Sequence, residues 1–472
     1  MRIPPRPRCT PAALALLTAC TLSACALGPA YQRPSTPEPA AYKELQGAPG
    51  WLPAAPADAL ERGPWWTLFG DALLNELAAS IEVSNQNVAA AAASYAQARA
   101  LVSEQRAALF PRVDLGASGT RSGGGGDTRS SSQYRLNLGA SWEPDIWGRL
   151  RAASNGASAS AAASAADLAA ARLSAQGELA VNYFSLRLAD AQLALLATGI
   201  AGYERVQAIT QNRFSAGIVG RSDVLQAQTQ LASARIDQSG VQRQRAQFEH
   251  AIAVLLGKAP SDFTLAPAAW QATVPAVPAG LPSTLLQRRP DIAAAERRVA
   301  VANEQIGIAR AAYFPSISLS GSGGFGASAV GGLLNASNSL WSLGLSATQS
   351  VFNAGATGAR VSGAEAGRDA AVAHYRQTVL SAFADVENQL AATRALQQQQ
   401  DLRRIASEAA DQVEAQMLNR YRAGQVGYTE VVTAQNTALS ARRALVQALA
   451  DRQTTAIALI QSLGGGWQAA SQ

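Results

Sequence analysis

Few residues in this 472-residue chain have the types and spacing that chemistry needs. Its two histidines, His250 and His374, each stand alone on a predicted helix, without the second ligand or base that a metal site or proton relay requires. Gly123 to Gly126 is a glycine run, but no Lys-Ser/Thr pair and no helix follows it, so it lacks the parts that cradle a phosphate. Carboxylates are sparse and none pairs with another in sequence. No catalytic constellation is expected, and no metal or cofactor site. Arg288-Arg289 and Arg297-Arg298 read as solvated or salt-bridged. A formal net charge of +6, three units of which (Arg2, Arg6, Arg8) lie in the leader, is too weak to argue for nucleic acid.

The cysteines are more informative. Cys9, Cys20 and Cys25 all lie near the N-terminus, which excludes a disulfide framework or a cysteine metal site in the body. Arg2, Arg6 and Arg8 precede an apolar stretch from Ala12 to Leu22, too short for a comfortable membrane span, and Leu22-Ser23-Ala24-Cys25 follows. Small residues directly before a cysteine match the bacterial lipoprotein box. In that reading residues 1–24 are removed, and Cys25 takes a thioether-linked diacylglycerol and becomes an acylated N-terminus. An ordinary secretory signal with Cys25 incidental is the competing reading; the position of the cysteine directly after the box favours lipidation. Ala26 rather than Asp follows, so the usual inner-membrane retention signal is absent. No other segment has eighteen consecutive apolar residues.

A second candidate occurs twice. Residues 212–228 read NRFSAGIVGRSDVLQAQ and residues 419–435 read NRYRAGQVGYTEVVTAQ, aligned without a gap at an offset of 207. Each lies between long, proline-free, Ala/Gln/Arg-rich segments, the pattern of a tight turn in a long helical hairpin. A segment of about 65 residues from Arg149 to Phe214 would make a helix of about 100 Å. Ala227, Ala234, Val241, Phe248 and Leu255 recur every seven residues on the returning segment. Val432, Leu439, Val446 and Ile460 do so in the second, with Gln453 breaking the row.

The duplication extends further. Asn87 to Gly119 aligns at an offset of 204 with Asp291 to Gly323, and each copy ends its helix at Phe-Pro (110–111, 314–315). There the period changes to two. Strands are expected at about 112–122, 133–143, 316–326 and 340–352, apolar on one face and polar on the other. Either a soluble sheet packed on helices or part of a membrane barrel fits this pattern, and four strands alone cannot close a barrel. Residues 25–64 form a Pro-rich strap, 65–257 the first repeat, 258–289 a linker, 290–464 the second repeat and 465–472 a tail. The hairpin tips fall at about 214–222 and 421–429. Trp65, Trp66 and Phe69 are expected in a core.

Taken together these segments resemble the TolC-like outer-membrane efflux factors, and closely their lipoprotein branch, the NodT group. The resemblance covers essentially the whole mature chain. It rests on Cys25 with Leu27-Gly28-Pro29-Ala30-Tyr31 and Pro34, on Trp142 to Leu150 (WEPDIWGRL), on Leu285 to Ile292 with Ala295-Glu296, on Gly307 to Pro315, and on the two tips. It implies a mainly α protein with a β-barrel part. Duplicated helical hairpins would form a periplasmic helical barrel, and four strands per chain would enter a twelve-stranded outer-membrane barrel of a homotrimer. It also implies an equatorial girdle and a non-enzymatic exit duct for drugs or other small solutes. The partners implied are a periplasmic adaptor and an inner-membrane transporter, typically proton-driven and RND-type. The tips would form the entrance and dock the adaptor. Carried onto this sequence, those positions are Arg213, Phe214, Gly217, Val219, Gly220, Asp223, Arg420, Tyr421, Gly424, Gly427, Tyr428 and Glu430. All four glycines are expected in conformations that a Cβ disfavours, and Asp223 and Glu430 at helix N-termini. Arg213, Arg420 and Arg422 would bind adaptor backbone or acids of a neighbouring chain. The second tip has no acid before Glu430, which puts an acidic iris there in doubt. Two other readings are a duct for type I protein secretion and a lipid-anchored periplasmic coiled-coil scaffold.

Overall fold

The computed structural model describes residues 27–36, 39, 42–44, 63–124, 130–270, 272–275 and 289–465. The leader, Cys25, much of the strap, the end of the linker and residues 466–472 of the tail lie outside the described residues. The elements run in order α1 (Ala72–Ser84), α2 (Gln86–Ala107), β1 (Arg112–Ser122), β2 (Ser131–Trp142), α3 (Arg149–Ser215) and α4 (Arg221–Leu255). The second copy follows with α5 (Pro290–Ala311), β3 (Ser316–Ala327), β4 (Ser339–Thr348), α6 (Ala356–Arg422) and α7 (Tyr428–Ser462). Matching helices have equal lengths, 22 residues for α2 and α5, 67 for α3 and α6, and 35 for α4 and α7. The chain divides into two compact units. One holds Ser94–Ala165, Ala294–Gln377 and the strap up to Ser35; the other holds Thr36–Ala93, Ala166–Ala293 and Thr378–Gln472.

Within the first unit the chain builds one antiparallel sheet of order β1-β2-β3-β4. Its register keeps side-chain type and face together. Leu115 opposes Leu138, Leu136 opposes Phe325, and Leu319 opposes Leu345, all on one face. On the other face Ser318 and Ser346 share a hydrogen bond of 2.7 Å and Ser322 and Ser342 one of 2.9 Å. The apolar face is exposed at Val113, Leu115, Leu138, Trp341, Leu343 and Leu345. A one-residue slip would exchange the two faces, so their difference fixes the register. β4 ends at Thr348, short of the expected 352. The residue opposite the next position is Pro315, which has no N–H for the ladder. β2 starts at Ser131, earlier than expected, where its hydroxyl meets that of Ser122 at 3.1 Å.

The helix starts explain the sequence motifs. In Trp142 to Leu150, the Asp145 carboxylate accepts from the backbone N–H groups of Leu150 and Arg151, both at 2.9 Å, covering the open first turn of α3. Glu143 holds Arg149 through two bonds of 2.8 Å. The strap is stitched onto α5 and α6. The Tyr31 hydroxyl donates to Glu296, Asn303 donates to the Pro29 carbonyl at 2.8 Å, and Arg33 donates to the Tyr375 hydroxyl at 3.1 Å. Burial, then the bond to Glu296, pushes the Tyr31 phenol well above its ordinary range.

In the second unit a core gathers around Trp65, Trp66 and Phe69, as expected, with Phe69 5.1 Å from Phe184. The linker is held here by buried polar groups. Asp190 accepts from Arg187 at 2.9 Å and from Arg245 at 2.6 Å, and these two arginines donate to the carbonyls of Ala266 and Leu265. Gln453, the break in the second heptad row, is fully buried; it accepts from the Trp270 indole at 2.9 Å and donates to the Thr273 carbonyl at 2.9 Å. The break is therefore a docking point for the linker. The first heptad row is buried as expected, apart from half-buried Phe248. In the second only Ile460 is: Val432, Leu439 and Val446 are half-buried, while Ala434 and Ala448, the positions aligned with Ala227 and Val241, are buried. Small side chains let the helices approach closely there, and the larger apolar residues beside them misled the periodicity.

Candidate functional site

Both tips belong to the second unit. At the end of α3, Ile218 N–H donates to the Arg213 carbonyl and Gly217 N–H to the Phe214 carbonyl, both at 2.9 Å. At the end of α6, Gln425 donates to Arg420 at 2.9 Å and Gly424 to Tyr421 at 3.0 Å. This crossed pair of bonds is the Schellman closure, which needs a left-handed residue. Gly217 has φ +74 and Gly424 φ +75. Gly220 and Gly427 do not share this strain, contrary to expectation. Their φ values are −79 and −77, and they cap α4 and α7 in extended conformation. Only one glycine per tip is conformationally required. Gly217→Ala and Gly424→Ala should each cost about 1 kcal/mol locally through backbone strain, while Gly220→Ala should add no such strain and cost only the weaker N-cap preference of alanine. Hydrogen exchange of tip peptides in the assembled protein measures this, as about fivefold faster exchange for the first two.

Asp223 and Glu430 each occupy the third helical position, where a carboxylate favours the positive helix end. The aligned aromatics differ sharply. Tyr421 is only 2% exposed and Tyr428 equally buried, packed with Val206, Ala227 and Val431. Their rings lie 5.7 Å apart. Phe214, the counterpart of Tyr421, is 38% exposed, and Ile218 beside it is 62% exposed. Tyr421 and Tyr428 are therefore interior residues of the tip, unavailable to a partner. Burial first, then Tyr421 nearby, pushes the Tyr428 phenol up to about 12.

Arg213 is also occupied. Its guanidinium donates to the Tyr421 carbonyl at 3.0 Å and lies 4.7 Å from the Tyr421 ring centre, so it joins the first tip to the second. Arg221, Arg420 and Arg422 are exposed and make no ion pair among the described residues. Val219 is half-buried, and Val426 packs against the tyrosine core. Two residues escaped the sequence reading. Thr210, fully buried, meets the Tyr421 hydroxyl at 3.2 Å, and Ile218 is the most exposed apolar side chain of its tip. The mismatch of Ile218 with Gln425 in the aligned copies was the available signal.

Below the tips α4 and α7 are bridged by Gln230 and Asn436, at 2.6 Å, and by Arg443 and Asp237, at 3.2 Å. A groove of about 400 Å³ between α6 and α7 is lined by Val413, Met417, Thr429, Glu430 and Thr433. Among the described residues no group of three or more His, Cys, Asp or Glu is placed to hold a metal ion. His250 and His374 are exposed on helices. By length and composition α3 alone of the described helices could cross a membrane; several of its alanines, among them Ala157, Ala161 and Ala175, are buried packing contacts.

The chain is 34% identical to the solvent efflux pump outer membrane protein SrpC of Pseudomonas putida, over 94% of this chain and 96% of that one. It is 32% identical to the cation efflux system protein CusC of Escherichia coli O6:H1, over 96% and 98%. The solved outer-membrane channel OprN superposes with a TM-score of 0.85 at 32% identity, covering 94% of this chain and all of that one. Residues 77–258 and 281–465, nearly the whole described body, match the outer membrane efflux protein family, and the chain belongs to that family.

Proposed function

We propose that three copies of this chain form the outer-membrane exit duct of a tripartite efflux pump, conducting small solutes passively outward. The observation that carries this reading is the sheet. It has a continuous apolar face exposed to the surroundings, a hydroxyl-rich face opposite, and unpaired outer edges on β1 and β4. Such a sheet is unsuited to water on its apolar side, and its edges are satisfied by closure with further copies around a wet lumen. Three copies give twelve strands, enough to close. The relatives named for solvent and for cation efflux support small solutes as cargo, with selection left largely to the inner-membrane transporter.

The exposed part of the tips, Phe214 and Ile218 with Arg221, Arg420 and Arg422, is the surface that suits a periplasmic adaptor; the buried tyrosines support it from within. Lipidation of Cys25 fits the strap. Gly28 packs against Gly307 so closely that a Cβ on either would come within 3.2 Å of the other's Cα. A lipid on Cys25 would then anchor a strap that is already packed on α5 through Gly28.

Purified protein should run as a heat-modifiable trimer from outer membranes and give single-channel conductance in planar bilayers. A soluble monomer would sink the proposal. Cys25→Ser should leave most of the protein in the outer membrane fraction, because the barrel anchors itself; release into the soluble periplasm would contradict the membrane assignment of the strands.

A further inference from the structure

The strand register puts the charged side chains of the sheet on one face, with the single exception of Arg121 at the hairpin end. On the polar face of β1 and β2 stand Arg112, Asp114 and Arg135; the polar positions of β3 and β4 carry no charge. Arg112 and Asp114 neutralise each other at 2.9 Å. Arg121, opposite Ser132, falls on the apolar face at the hairpin end. The loop between β3 and β4 contains no charged residue. Arg135 is exposed and has no ion pair among the described residues. Its cross-strand neighbours are Ser118 on β1 and Gly326 on β3, and a Cβ at Gly326 would lie 3.8 Å from the Arg135 stem and 3.1 Å from Leu340. Serine, glycine and leucine leave its charge uncompensated.

We propose that Arg135 sets the charge preference of the strand-lined pore, making it favour anions over cations. This rests on the trimeric-barrel reading above, in which the polar face lines the lumen. Twelve strands about 4.8 Å apart and tilted about 40° close into a ring of about 12 Å backbone radius. Three guanidiniums on that ring lie about one Debye length from the axis at 0.1 M salt, so their field reaches across the opening. Coulomb attraction with that screening gives an anion-over-cation preference of about threefold, vanishing near 1 M salt.

Reversal potentials across planar bilayers holding the purified full-length trimer, in a potassium chloride gradient around 0.1 M, test this. The wild type should favour chloride about threefold, Arg135→Lys should keep the preference, and Arg135→Gln should bring the ratio close to one. Arg135→Glu should reverse it. A wild type that prefers potassium, or a ratio unmoved by Arg135→Gln and Arg135→Glu, overturns the inference while leaving the duct intact. An assembled trimer with no conductance at all counts instead against the duct itself, and the inference falls with it.

Discussion

Replacing Asp190 with alanine should destabilise the second unit by about 3–5 kcal/mol. The carboxylate is 4% exposed and serves two guanidiniums at once, Arg187 at 2.9 Å and Arg245 at 2.6 Å. Arg187 is equally buried, and Arg245 nearly so, with Glu249 its remaining acid at 3.5 Å. Removing Asp190 leaves Arg187 buried with no acid, only the Ala266 carbonyl and the Tyr183 ring, and leaves Arg245 with Glu249 alone. That costs more than the lost attraction, because a buried charge without a partner bears its full desolvation. The linker suffers too, since both arginines anchor its carbonyls. The temperature at which the trimer dissociates should fall, and exchange across residues 259–270 should rise. Converting Asp190, Arg187 and Arg245 together to apolar residues of similar volume should recover much of the loss. A single Asp190→Ala variant within about 1 kcal/mol of wild type would contradict this account of how the linker is held.

Much of the fold was legible because its signals are local. Phe110-Pro111 and Phe314-Pro315 stop helices by the geometry of proline, and the alternation from Val113 or Ile317 onward states both strand and face. The end of β4 also follows from a local rule, the missing N–H of Pro315, though only the register reveals which residue it opposes. The tips were legible as turns and largely illegible as surfaces. Phe214 and Tyr421 occupy aligned positions in nearly identical motifs, yet one is exposed and the other interior. Tyr421 meets Thr210 and Arg213, partners more than two hundred positions away in the chain. Gly217 and Gly220 look interchangeable in sequence as well. Their different φ values depend on which one closes the outgoing helix and which one caps the returning one. Gln453 was visible as a break in a heptad row, but its partners Trp270 and Thr273 lie in the linker, beyond the reach of periodicity.

The same asymmetry gives the largest effect expected at the tips. Tyr421→Ala removes the central side chain of a small cluster of five buried residues. Truncating a buried aromatic costs about 3–5 kcal/mol, and the stacked Arg213 contributes about 1 kcal/mol more through its position over the ring. The loss falls on a local unit with few other contacts, so the trimer should assemble while the tip opens. Greater single-channel conductance and faster proteolysis after Arg420 and Arg422 are the expected readouts, with hydrogen exchange raised at 416–430. Tyr421→Phe keeps the ring and loses only the hydroxyl contact with Thr210, so it should cost about 1 kcal/mol and leave conductance near wild type. Phe214→Ala, at the exposed counterpart, should leave conductance and tip exchange unchanged and, under the docking role proposed above, weaken solute efflux in cells. If Phe214→Ala loosened the tip as much as Tyr421→Ala, the division between an inward-packed second tip and an outward-facing first tip would be wrong.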